Sequence, residues 1–142
     1  MSYNSKTQFD KLEVTSYFRM VDENHPLSLW LGVDSDAHKA LRFLGEFTPV
    51  ALTGTQSIGV KQFLVEDKKC IQFSLIDPES SELFYKFCDD IIDSSRDGAN
   101  QANGYHFVIQ RFARWKRMFV TKSDILSEEA IMGLIGELYF LF

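Results

Sequence analysis

Only two cysteines, Cys70 and Cys88, occur in the 142 residues, and they share no CxxC spacing. They read as buried, reduced thiols rather than as metal ligands or a redox pair. The three histidines, His25, His38 and His106, have no mutual metal-ligand spacing and no identifiable Ser or Cys partner, so a catalytic triad finds no support. A basic excess is also absent. The formal net charge is -5, which argues against a protein that coats nucleic acid generally and leaves room for a local basic face. The N-terminus has no basic-then-apolar signal pattern, and the apolar run at the C-terminus is shorter than a membrane span and carries Glu137. These absences predict a cytoplasmic chain without a membrane partner. No internal repeat, low-complexity segment or linker divides it.

What is present is core material. Hydrophobic residues make up 45% and charged residues 25%, with 13 phenylalanines, so one globular domain over residues 1–142 is expected. Residues 6–14 suggest a short helix with Phe9 and Leu12 on one side. Alternating or short apolar runs follow over 17–21, 27–33, 41–47, 58–65 and 69–76, bounded by turn residues as half-buried strands are. The polar connections 22–26 and 66–69 are short, which favours antiparallel neighbours and predicts a β-meander of about four or five strands over residues 1–76. At Asp77-Pro78-Glu79 the pattern changes, with Asp77 as N-cap and Pro78 at the first helical position. Leu83, Phe84, Phe87, Cys88, Ile91 and Ile92 mark the apolar stripe of one helix. Val108, Phe112, Trp115 and Phe119 mark that of a second, over 105–121. A third helix is read over 125–142, capped by Ser127. The fold class is therefore α+β: an antiparallel sheet half over 1–76, then three helices over 77–142.

Several short motifs invite a chemical reading and fall short of it. The stretch from Gly54 to Lys61 resembles a phosphate-binding loop, but Val60 stands where the lysine is required and a strand, not a helix, follows. Asp34-Ser35-Asp36-Ala37-His38 opens like a calcium loop, yet Lys39 occupies the place of the turn glycine, so an acidic turn that bonds its own backbone is expected. Glu66-Asp67-Lys68 fits the acid-x-lysine pattern of metal-dependent nucleases, but it lies in a predicted hairpin turn. A catalytic role would require Glu66 and Lys68 to converge on another carboxylate. Arg111, Arg114 and Arg117 recur three apart on the helix side away from its apolar stripe. With Lys116 beside them they form a candidate contact for DNA phosphates.

The final run is apolar almost all round, with Ile131, Leu134, Ile135, Leu138 and Phe142 on one face and Phe140 opposite. Such a helix expects cover on both sides, so residues 131–142 call for further chain, a protein partner or a second copy in a homo-oligomer. Ala113-Arg114-Trp115-Lys116, Leu126-Ser127-Glu128-Glu129 and the segment from Gly133 to Leu138 together resemble the PD-(D/E)XK-motif family of bacterial proteins encoded among restriction and phage-defence genes. Leu27 to Asp34, followed by Ala40-Leu41-Arg42-Phe43, looks like that family's N-terminal sheet. The resemblance implies the N-terminal part of an endonuclease-like protein that uses Mg²⁺ for phosphodiester hydrolysis. It places Glu137 where a helix glutamate assists the catalytic metal. The aspartate and Glu-x-Lys of the catalytic strands would follow Glu137, and none follows within these residues. DNA positioning or assembly is thus the expected role. A non-catalytic protein-docking module, acting through the apolar terminal helix, is the alternative.

Overall fold

A computed structural model gives the architecture and describes residues 3–12, 18–100 and 102–119. It is α+β, with helix α1 (Ser5–Lys11) before strands β1 (Phe18–Met20), β2 (Ser28–Val33), β3 (Lys39–Gly45), β4 (Ile58–Val65) and β5 (Lys68–Leu75). A 3₁₀ turn (Pro78–Ser80) leads into α2 (Ser81–Gly98), and α3 (Gly104–Lys116) ends in a second 3₁₀ turn (Arg117–Phe119). All strand pairs are antiparallel, in the order β1-β2-β3-β5-β4. The expected meander is thus modified at one point, since β3 pairs with β5 and β4 is displaced to the edge. Burial explains the exchange. β5 is buried along most of its length, whereas β4 is half-buried or exposed at every position after Ile58, so the more buried strand takes the interior place. The expected third helix, over 125–142, lies outside the described residues.

The described helices pack on one face of the sheet. Leu29 and Leu31 from β2, Leu41 and Phe43 from β3, and Ile71 and Phe73 from β5 meet the α2 and α3 stripes there. Phe73 touches Phe87 edge-on at 5.3 Å and Phe112 at 4.8 Å between ring centroids. Phe84, Phe87, Cys88, Ile91, Ile92, Val108, Phe112 and Phe119 are all buried, as their spacing predicted. Asp77 accepts from the Glu79 amide, and Pro78 opens the first turn, which is 3₁₀ rather than α. The helix that follows runs on to Gly98, past the serines where the apolar stripe stops. Ser95 allows this because it is buried, with its hydroxyl 2.6 Å from the Ile91 carbonyl.

Close approach, not unusual dihedrals, explains two glycines. A Cβ on Gly104 would meet Leu27 at 2.7 Å, so α3 can begin against the sheet only without a side chain there. A Cβ on Gly54 would lie 2.1 Å from the Ile58 carbonyl oxygen, and this fixes the entry into β4. The connection 46–57 is anchored by Tyr105, whose ring stacks on Phe47 at 3.9 Å and whose hydroxyl accepts from the Val50 amide.

Candidate nucleic-acid interface

The arginine row on α3 divides in the folded chain. Arg111 turns to α2: its Nη2 donates to Asp90 Oδ1 at 2.8 Å and to Ser94 Oγ at 2.6 Å, and Trp115 Nε1 donates to Asp90 Oδ2 at 2.8 Å. Arg111 also lies over the Phe107 ring, and its Nε is buried without an acceptor among the described residues. This arginine clamps α3 to α2. Burial pushes the Asp90 carboxyl up, but the bonds from Trp115, Arg111 and Ser94 outweigh that and hold it below the usual carboxylate range. Arg114 and Arg117 are exposed, and neither forms an ion pair among the described residues. Lys116 is half-buried and donates to Thr53 Oγ1 at 2.9 Å. The end of α3 therefore presents two exposed guanidinium groups beside a tethered ammonium.

The acidic turn is built as a turn. Asp34 Oδ1 accepts from the Asp36 and His38 amides at 2.9 Å each, and Oδ2 accepts from the Ser74 hydroxyl at 2.9 Å and lies 3.6 Å from His38 Nδ1. Burial raises its carboxyl, and these hydrogen bonds reverse the effect and leave it lowered. Asp34, Asp36 and His38 each bring one potential ligand atom within 4.8 Å of the others. However, both Asp34 oxygens are already engaged, and bonds that close the turn would have to break to free them for a cation. Ala37 sits at φ 66°, the strain that results from an ordinary residue at the tight position.

Glu66 and Asp67 form the two-residue turn between β4 and β5, with Glu66 at φ 58°. Glu66 and Lys68 are exposed, and neither reaches a carboxylate partner among the described residues. The convergence that acid-x-lysine chemistry requires is not formed there. At Gly54 the loop closes on protein rather than on phosphate: Thr55 Oγ1 accepts from the Ser57 and Ile58 amides and donates to the Phe119 carbonyl. Cys70 and Cys88 are buried free thiols. Burial pushes Cys70 up to about 11 and Cys88 well above the ordinary thiol value, which makes both poor nucleophiles. Glu137 and the apolar face over 131–142 lie outside the described residues.

One constellation carries no motif in the sequence. On the sheet face opposite the described helices, Arg42 lies between two aromatic rings, 3.8 Å from the Phe18 centroid and 5.2 Å from that of Phe63. Its Nε donates to Gln72 Oε1 at 2.8 Å, Gln72 Nε2 donates to Ser74 Oγ, and Ser74 donates to Asp34. The acidic turn and the arginine are thereby ends of one hydrogen-bonded line. Only strand register brings these residues together, because they come from four strands and a turn.

Compared with known proteins, residues 5–142 match the model of the family described as "Putative PD-(D/E)XK family member (DUF4420)". No curated protein and no solved structure shows a match.

Proposed function

Because this chain belongs to the "putative PD-(D/E)XK" family, we propose that it positions DNA within an endonuclease-like protein of the kind encoded among restriction and phage-defence genes. The family match over residues 5–142 carries the reading, and the exposed pair Arg114 and Arg117 at the end of α3 supplies the contact surface. The arginines there are favoured in place by the negative end of the helix dipole, and their own charges would meet the DNA phosphates. Lys116, held by Thr53, adds a third positive charge, while Arg111 serves the DNA surface only by fixing α3 on α2.

The family implies Mg²⁺. Of the described carboxylates, those of Asp34 and Asp36 come together with His38, but both Asp34 oxygens already accept hydrogen bonds that hold the turn to itself and to Ser74. They do not fit a hydrolytic centre, so no catalytic step is derived from them. Glu137 is the residue proposed to assist Mg²⁺, together with an aspartate and a Glu-x-Lys supplied beyond these residues.

The test is fluorescence anisotropy with a labelled DNA duplex over a range of salt. The unaltered chain is expected to bind with an affinity that falls steeply as salt rises. Arg114→Glu with Arg117→Glu should remove most of that binding and flatten the salt slope by about two or more. Binding that survives the double substitution, in a protein with unchanged circular dichroism, would place the DNA surface elsewhere.

A further inference from the structure

The open face of the sheet is organised in rows set by strand register. One row crosses all five strands as Met20, Trp30, Arg42, Gln72 and Lys61. The next contains Phe18, then Gly32 and Ala40, whose small size leaves room for the Phe18 ring to lie against Arg42. On the other side stands Phe63, paired with Cys70. The face thus carries aromatic and cationic side chains among small and polar ones, at strand positions that a sheet covered by a second apolar layer would fill with aliphatic residues. Its charge is opposite to that of the whole molecule. Arg42, Lys61 and Lys68 are cations on this face, while Asp34, at its end, has both carboxylate oxygens bonded internally.

A cavity of about 330 Å³ opens beside Arg42, lined also by Phe18, Phe63, Lys61 and Gln72 and, at its acidic end, by Asp34. The Gln72 bond uses only Nε. Both Nη groups of Arg42 are left without a protein partner among the described residues, and neither is a buried orphan. A guanidinium close to two aromatic rings, with its outer nitrogens available and an exposed ammonium two strands away on β4, is suited to a ligand that offers a planar ring and an anion together.

We propose that this face binds single-stranded nucleic acid, with bases lying against the partly exposed Phe18 and Phe63 rings and backbone phosphates held by Arg42 Nη and Lys61. Flat base stacking selects a single strand, because in a duplex the base faces are buried against one another. The inference rests on the nucleic-acid reading above and extends it to a second surface, on the opposite side of the sheet from α3.

The experiment compares a labelled oligothymidylate of about twenty nucleotides with a labelled duplex, using the whole chain. Lys61→Glu and Phe63→Ala should each weaken oligothymidylate binding about tenfold or more and leave duplex affinity nearly unchanged. Phe63→Tyr should retain the wild-type value. Lys61 is exposed, so its substitution keeps the test valid if Phe63→Ala unfolds the edge strand. Failure of the unaltered chain to bind oligothymidylate would overturn the proposal, as would unchanged affinity in a folded Lys61→Glu protein. Loss of oligothymidylate binding through Arg114→Glu and Arg117→Glu alone would overturn the sheet site and leave the α3 site standing. The converse result, binding to oligothymidylate but not to duplex, would overturn the α3 site alone.

Discussion

Ala37 and Gly54 show how single residues answer to backbone geometry in opposite ways. Ala37 is exposed and adopts φ 66°, where a Cβ is strained, so Ala37→Gly should raise stability by about 0.5–1 kcal/mol. Gly54 needs no unusual dihedral but has a carbonyl oxygen where its Cβ would be. Gly54→Ala must therefore displace backbone and should lower stability by about 2 kcal/mol or more. Urea midpoints of the two variants would test the pair; a shift of the same sign in both would refute the geometric account. His25 is a further case in which only the fold assigns a role. Its Nδ1 accepts from the Leu27 amide, which leaves Nε2, 2.8 Å from the Ile92 carbonyl, as the nitrogen that donates. No spacing in the sequence marks this histidine as the bridge between the β1–β2 connection and α2.

Among the elements, the contact of α2 with α3 depends on a polar clamp laid over an aromatic core. Asp90 accepts from Arg111 and Trp115 on the neighbouring helix, and removing either end leaves the other poorly satisfied. Asp90→Ala and Arg111→Ala should each cost about 1–3 kcal/mol, a range that allows for the partial exposure of both groups. In a double-mutant cycle they should couple by about 1 kcal/mol. Additive losses would dissolve the clamp. The pH dependence has a definite sign. The Asp34 and Asp90 carboxyls are both lowered by folding, so their stabilisation is complete above the ordinary value of 3.8 and disappears as pH falls through the folded values. Stability measured on the acid side should fall less steeply in Asp90→Asn than in the unaltered chain.

For the molecule as a whole, the exchange of β4 and β5 decides which strand is central. Amide hydrogens of β5 and β3 are expected to exchange slowest and those on the outer edge of β4 much faster, by native-state hydrogen exchange; equal protection in β4 and β5 would contradict the order. Most elements were legible in the sequence because burial imposes a period. Leu29 and Leu31 alternate in β2 because one sheet face packs on helices, and Phe84, Phe87, Ile91 and Ile92 recur because one side of α2 does. Pro78 and the reduced, buried thiols were equally local matters. Periodicity has no information about which strands lie side by side, so the edge position of β4 came only from the folded chain. The same limit applies to function. The Arg111, Arg114 and Arg117 row was visible as a spacing of three, but its division into one clamp and two exposed cations depended on Asp90 and Ser94 of another helix. Arg42, Phe18 and Phe63 had no shared spacing at all, and antiparallel register alone made them neighbours. The sequence by itself determined which side of each strand and helix is apolar, since that is set by the local geometry of the backbone. Tertiary structure decided which charges are free and which rings face one another, because these depend on contacts between segments distant in the chain.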